Sequence, residues 1–156
     1  MKKLAVFLLL LTIFSCTEED APYIITCSDG IVPIENFPGN FEDAFKFRND
    51  IDSMEQRKFV IQSDTEWESY VTSIYGTGLP SVDFSKKTVI IGRLYHSIKS
   101  SITKQEIVSD CGKKEIYYKI SLLEGSAADT GNAYFYAIIP KISEDTRVKI
   151  QPTYGN

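Results

Sequence analysis

The segment that most constrains the fold is residues 58–93, which predicts a strand, a helix and a second strand. Residues 58–62 contain three consecutive apolar side chains of types that favour a pleated, half-buried strand. Ser63 then stands three residues before Glu66, which is the spacing of a capping box. A helix is therefore expected to begin directly after the first strand.

The predicted helix spans about residues 64–75 and carries its apolar residues on one face. These residues recur at the i, i+3, i+4 and i+7 spacing of an amphipathic helix: Trp67, Tyr70, Val71 and Ile74. A helix of about three turns is not stable alone, so this face has to pack on a sheet, with Trp67 as a core anchor. The apolar run at 89–91 predicts a central strand that is buried on both faces.

The C-terminal half predicts four further strands, at 101–108, 115–123, 133–139 and 146–151. The second of them alternates apolar and polar residues with a period of two, and turn-forming residues separate it from the first. Together with the single helix, these short strands predict an α+β fold. We expect a mostly antiparallel sheet, arranged as a meander, with the helix packed on it.

The N-terminal region predicts export. Lys2 and Lys3 precede an apolar run over residues 4–14, which is shorter than the about 20 residues that span a membrane. We therefore predict a signal peptide over residues 1–15. Its end, Ile13-Phe14-Ser15-Cys16, resembles a bacterial lipobox, which implies that Cys16 is lipidated after cleavage. The alternative is an ordinary signal peptide followed by a chance cysteine.

Residues 16–22 predict an acidic tether in front of a single globular domain over residues 23–156. Within that domain, proline and glycine residues in 23–56 predict irregular chain with one or two short strands. The acidic cluster at 18–20 resembles the surface-export signal of Bacteroidetes lipoproteins, and the alternative is a solvated spacer. Thr17, rather than an aspartate, follows the lipidated cysteine. By resemblance to the sorting rule of Gram-negative lipoproteins, this implies the outer membrane, facing either the periplasm or the cell surface.

Charge and cysteine content restrict the partners further. The formal net charge is −4, so bulk charge does not favour nucleic acid, and we expect membrane contact only through the acyl chains on Cys16. Two other cysteines remain, Cys27 and Cys111. An oxidising compartment predicts a disulfide between them, and two free buried thiols are the alternative.

The sequence offers little catalytic chemistry. His96 is the only histidine, and no serine lies in a Gly-x-Ser-x-Gly motif. One histidine cannot supply the usual ligand set of a zinc site. His96 follows a predicted strand, where a solvated loop histidine is the stronger interpretation. We therefore expect neither an enzyme nor a cofactor.

Two binding functions fit these observations. The first is binding or stabilising another envelope protein through loops 93–101 and 124–132, with Arg93, Tyr95 and His96 as candidate contact residues. The second is binding a surface glycan, which requires exposed aromatic side chains in a row. The side chains considered for that row are Trp67, Tyr95, Tyr117, Tyr134 and Tyr136.

Part of the chain is similar to a known family. The strand at 58–62, the Glu66-Trp67 pair and the run Val82-Asp83-Phe84-Ser85-Lys86-Lys87-Thr88-Val89-Ile90 resemble the PrcB C-terminal-like domain. The resemblance covers about residues 58–150. That family takes its name from a lipoprotein that stabilises a surface protease complex. The resemblance implies a protease-accessory role for this chain and implies no catalytic residues.

Overall fold

The computed structural model describes residues 26–36, 45–48, 56–76, 78–96, 100–125 and 131–155. The predicted signal peptide, Cys16 and the predicted acidic tether lie outside these residues. The described strands and helix are, in chain order, β1 (Gly30–Val32), β2 (Phe45–Phe47), β3 (Arg57–Ile61), α1 (Asp64–Tyr70), β4 (Val71–Ser73), β5 (Lys87–His96), β6 (Ser100–Asp110), β7 (Glu115–Glu124), β8 (Gly131–Pro140) and β9 (Arg147–Gly155). No helix among the described residues is long and apolar enough to span a bilayer.

The strands form two main sheets and one small pair. A four-stranded sheet has the order β1-β6-β7-β9, a three-stranded sheet has the order β3-β5-β8, and β2 pairs with β4. Every pairing is antiparallel except that of β7 with β9. The predicted sheet-rich, mostly antiparallel α+β fold is confirmed. The predicted meander is wrong, because β8 pairs with β5 and β9 then returns parallel to β7.

The three-stranded sheet is the middle layer of the domain. One of its faces packs against the four-stranded sheet, in a core that includes Ile90, Leu94 and Phe135. Its other face packs against α1 and the β2–β4 pair, in a second core that includes Val89 and Ile91. Strand β5 is therefore buried on both faces, as its uninterrupted apolar run predicts.

Gly92 is the point of closest approach inside β5. A Cβ atom at this position would overlap the ring of Phe135 and the backbone carbonyl oxygen of Arg57. Arg57 and Phe135 belong to the two strands that flank β5. The middle sheet therefore requires glycine here because a side chain would force its neighbouring strands apart.

Helix α1 begins where the sequence predicts. The hydroxyl of Ser63 accepts a hydrogen bond from the backbone N–H of Glu66 at 3.3 Å. The carboxylate of Glu66 in turn accepts from the backbone N–H of Gln62 at 2.7 Å, one residue earlier than in an ideal capping box. The cap is therefore confirmed, with a small shift in its reciprocal bond.

The helix ends earlier than predicted, at Tyr70 rather than near residue 75. Val71 has extended backbone angles and opens β4, which pairs with β2. Hydrogen bonds of a strand pair thus replace those of a further helical turn. As a result only Trp67 and Val71 of the predicted apolar face are buried, whereas Tyr70 and Ile74 are 38% and 43% exposed.

The segment at residues 30–35 bridges the two sheets along one side. Its first part is β1, which pairs with β6, and Glu35 then forms a bridge with Ile138 of β8. On the opposite side, the ammonium group of Lys58 donates to the backbone oxygen of Val148 at 2.7 Å. Strands β1 and β2 also confirm short strands in the described part of residues 23–56.

Candidate functional site

A cavity of about 460 Å³ lies where the N-terminal segment meets the end of the two sheets. Its walls come from residues 26–33, from the β6–β7 turn with the start of β7, and from the loop after β8 at residues 140–146. These three segments are distant in sequence. The cavity therefore exists only because the tertiary fold brings them together.

The predicted disulfide is confirmed and forms one wall of this cavity. Cys27 and Cys111 are bonded, with their Cα atoms 5.8 Å apart and a sequence separation of 84. The backbone N–H of Cys111 also donates to the carboxylate of Asp29 at 2.6 Å. The hydroxyl of Ser109 lies 3.4 Å and 3.7 Å from the two sulfur atoms. The N-terminal wall is thus fixed to the β6–β7 turn.

The interior of the cavity is largely apolar. Ile116, at 2% exposure, also belongs to the core between the two sheets. Ile31 lies at the other extreme, because it is 78% exposed. The remaining apolar lining residues are Val32, Pro33, Pro140 and Ile142. The cavity therefore runs from the mouth at Ile31 to a buried floor at Ile116.

The charged side chains in the wall already have partners. The ammonium group of Lys114 lies 2.5 Å from the carboxylate of Asp145. That of Lys141 donates to the backbone oxygen of Gln62 at 2.9 Å. The remaining charged lining residue is Glu115, whose side chain is only 6% exposed.

Glu115 accepts three hydrogen bonds. The donors are Lys149 at 2.8 Å, the hydroxyl of Tyr117 at 2.6 Å and Arg147 at 3.0 Å. Lys149 and then Tyr117 contribute most to a pKa for Glu115 of about 2, well below its ordinary value of 4.5. Glu115 is therefore a fixed carboxylate at neutral pH and holds no proton to transfer.

A second hollow, of about 470 Å³, adjoins the cavity. It shares Lys141 and Thr146 with the cavity and is also lined by Gln62 and Glu144. The side-chain oxygen of Gln62 is buried and accepts no hydrogen bond from the described part of the chain. A buried acceptor without a donor is costly, and a ligand could supply a donor only if the side chain of Gln62 turned into the hollow.

The candidate contact residues on β5 lie elsewhere. Arg93 is fully buried, opposite Tyr134 in the β5–β8 pairing, so its side chain cannot meet a partner at the surface. The prediction that Arg93 contacts a partner is therefore wrong, because β5 is the central strand of the middle layer. Tyr95 is half-buried, and His96 pairs with Gly131 at the end of the strand. Residues 97–99 and 126–130 of the two predicted contact loops lie outside the described residues.

The aromatic side chains considered for a glycan row are dispersed. Tyr134 and Tyr136 pack against the core on the α1 side, and Trp67 is 3% exposed. Tyr117 lies on the opposite side of the domain, where the ammonium group of Lys149 stands 5.6 Å from its ring centre. These residues therefore do not form one exposed row.

The sequence predicted the disulfide but not the cavity around it. The lining residues come from three separate segments and show no common pattern in the sequence. Only the two cysteines indicated that residues 26–33 lie against the β6–β7 turn. In the parts of the chain that the structure covers, no group of three or more His, Cys, Asp or Glu side chains could hold a metal ion.

No family model, curated protein or solved structure matches this chain. The function therefore has to be argued from the geometry of the site.

Proposed function

We propose that this chain is a non-enzymatic, lipid-anchored envelope domain that binds a segment of another envelope protein. The observation that carries the proposal is the cavity beside the disulfide, which combines an apolar interior with walls whose charged groups are already paired. Such a site is ready to bind before a partner arrives.

The size and shape of the site favour a polypeptide segment. The cavity alone is within the range of about 300–1,000 Å³ that is usual for ligand sites. The adjoining hollow extends it past Lys141 and Thr146, which suits an extended chain better than a compact small molecule. The apolar interior of the cavity can take a side chain of that segment.

The chemistry of the walls favours binding over catalysis. Glu115 stays ionised at neutral pH because its pKa is about 2, so it is a poor proton donor or acceptor there. Lys114 is paired with Asp145, and Lys141 is bonded to a backbone oxygen. A general acid or base needs a pKa near the working pH, and the pKa of Glu115 lies far below it.

The predicted anchor places the site close to a membrane. Thr26 lines the cavity, and the ten residues 17–26 after Cys16 can reach at most about 35 Å when extended. A partner in the same membrane or near its surface is then within range. The protease-accessory role implied by the family resemblance is one specific form of this proposal. The N-terminal wall of the cavity lies before residue 58, outside the part of the chain that resembles the family.

The proposal is tested by site-specific crosslinking in cells. A photo-crosslinking residue is placed at Ser28 or Ser143, which line the cavity, and at Thr65 on the exposed surface of α1 as a control. We expect one reproducible envelope protein from the two cavity positions and not from Thr65. Introducing Ile142→Arg into the Ser28 probe should abolish the crosslink, because the new side chain fills the cavity, and a melting curve verifies that the variant is folded. Equal capture at Thr65, or a crosslink that survives Ile142→Arg, would refute the proposal.

A further inference from the structure

The outer face of the four-stranded sheet, which points away from both cores, carries an ordered set of charges. A β-bulge between Ile102 and Lys104 changes the facing of β6. Ile102 therefore packs against the core, whereas Lys104 and Glu106 lie on the outer face. Glu106 pairs with Lys119 of β7, and Lys119 pairs with Gln151 of β9.

Two carboxylates on this face each lie beneath two cations. Glu106 is 3.2 Å from Lys104 and 3.3 Å from Lys119, and Glu115 is held in the same way by Arg147 and Lys149. The carboxylates are 28% and 6% exposed, whereas the four cations are 50–69% exposed. Each carboxylate neutralises one of its two cations. A molecule approaching this face therefore meets positive charge, with a net excess of two.

The four cations form a diagonal strip across three strands: Arg147 and Lys149 on β9, Lys119 on β7 and Lys104 on β6. Lys149 is paired with Tyr117, two residues from Lys119, and Lys119 is paired with Glu106, two residues from Lys104. Diagonal neighbours in a sheet lie about 7–8 Å apart. We call these four residues the basic strip. The chain as a whole has a net charge of −4, so the basic strip is a positively charged patch on a negatively charged protein.

A shallow hollow of about 320 Å³ lies within this face at the Lys104 end of the strip. Its lining, among the described residues, is polar: Lys104, Glu106, Lys119, Ser121, Gln151 and Thr153. The centre of a protein–protein interface is normally apolar, with aromatic side chains and few lysines. Cations beside hydroxyl and amide groups fit a ligand that is both negatively charged and rich in hydroxyl groups.

We propose that the basic strip and this hollow bind an anionic polysaccharide. The ammonium and guanidinium groups would pair with carboxylate or phosphate groups along the sugar chain. Ser121, Gln151 and Thr153 would exchange hydrogen bonds with sugar hydroxyls. Recognition rests on charge and hydroxyl groups rather than on an aromatic row. The hollow at the Lys104 end shares no lining residue with the cavity, so binding there and binding in the cavity can fail separately, although Glu115 beneath Arg147 and Lys149 also lines the cavity.

The test is titration of the mature, lipidated protein in detergent micelles with polygalacturonate oligomers at low salt. Lys104→Gln/Lys119→Gln should weaken binding at least about tenfold, since two charge-assisted contacts are lost. The control Lys46→Gln/Lys86→Gln removes two exposed lysines outside this face and should leave affinity unchanged. Glu106→Gln should tighten binding because it removes the carboxylate beneath the cations. Melting curves verify that each variant is folded.

Several results would overturn the inference. Absence of polygalacturonate binding at low salt would exclude the ligand class. Equal loss of affinity in the Lys46/Lys86 control would assign the binding to bulk charge and not to the strip. Polyglutamate of matched charge binding as tightly would identify the ligand as an acidic polypeptide, and neutral dextran binding as tightly would exclude a charge-based site. The proposal requires that polygalacturonate binds tightest and that only changes on the outer face alter its affinity.

Discussion

Glu115 and Glu106 lie on the same sheet face and have similar partners, yet their surroundings differ. Each carboxylate is held by two cations, which for Glu115 both come from β9 and for Glu106 come from its own strand, β6, and from β7. Glu115 is 6% exposed and also accepts from Tyr117, whereas Glu106 is 28% exposed. The pKa of both carboxyls is lowered, and that of Glu115 falls to about 2. One carboxylate with two cations can therefore stabilise the fold where it is shielded from water, as at Glu115. Where it is partly exposed, as at Glu106, the same arrangement is accessible to a ligand.

The two regions also differ in what surrounds the charges. The cavity region contains Glu115, the disulfide and the buried floor at Ile116. The hollow around Glu106 has a polar lining and no covalent link among the residues that form it. We therefore expect changes to the disulfide, Glu115 and Ile116 to alter stability and changes in the hollow to alter only binding.

The largest expected effect on stability comes from removing the disulfide. Replacing Cys27 and Cys111 together by alanine should lower the free energy of unfolding by up to about 4 kcal/mol, because the unfolded chain regains the freedom of a long closed loop. Denaturant unfolding with and without reductant measures it. The double variant should be insensitive to reductant, and polygalacturonate binding at the hollow should be unchanged while the protein is folded. A wild-type midpoint that reductant does not shift would contradict the prediction.

The second effect concerns the acid stability that Glu115 provides. Its pKa is about 2 in the folded protein against an ordinary value of 4.5, so the unfolded chain takes up the proton first. The stabilisation is complete above about pH 4.5 and is lost as the pH falls from there towards 2. Glu115→Gln should lower the melting temperature at neutral pH and should flatten its fall between pH 4.5 and 2.

A matched variant separates this effect from loss of side-chain packing. Tyr117→Phe removes one of the three donors to Glu115 and leaves the two cations in place. Its loss of stability at neutral pH should be smaller than that of Glu115→Gln, and most of the acid dependence should remain. If Glu115→Gln melts at the wild-type temperature at neutral pH, the carboxylate is not a structural element.

The third effect compares one substitution at the two ends of the cavity. Ile116→Val removes one methylene from the buried floor and should cost about 1 kcal/mol of unfolding free energy. Ile31→Val makes the same change at the mouth, where the side chain is 78% exposed, and should cost almost nothing. Denaturant unfolding of both variants measures the difference. Equal costs would show that the floor is not tightly packed.

Local sequence signals predicted the start of structural elements better than their ends. Ser63 and Glu66 lie within one turn of each other, so the beginning of α1 could be predicted from them. The end of α1 depends on β2, which pairs with β4 across more than twenty residues of sequence. No local pattern contains that information. The predicted meander was wrong for the same reason, because tertiary packing determines that β8 pairs with β5 and β9 with β7.

The candidate sites show the same division. Two cysteines in a chain predicted to be exported were enough to predict the disulfide, because disulfides persist in an oxidising compartment. The basic strip depends on the register of three strands and on a bulge that turns Lys104 outward. Arg93 was expected at the surface because it begins the predicted loop 93–101, which caps the end of a strand. It is buried because β5 continues to His96 as the central strand of its sheet.

The smallest expected effect on stability is that of Glu106→Gln. The carboxylate is partly exposed, and exposed ion pairs contribute little because water and salt screen them. The pKa of Glu106 is lowered mainly by its hydrogen bond from Lys104, so its acid dependence has the same sign as that of Glu115 but a smaller size. We expect the melting temperature at neutral pH to match the wild type while polygalacturonate binding tightens. A loss of stability as large as that of Glu115→Gln would show that both carboxylates are structural and would end the distinction between the two regions.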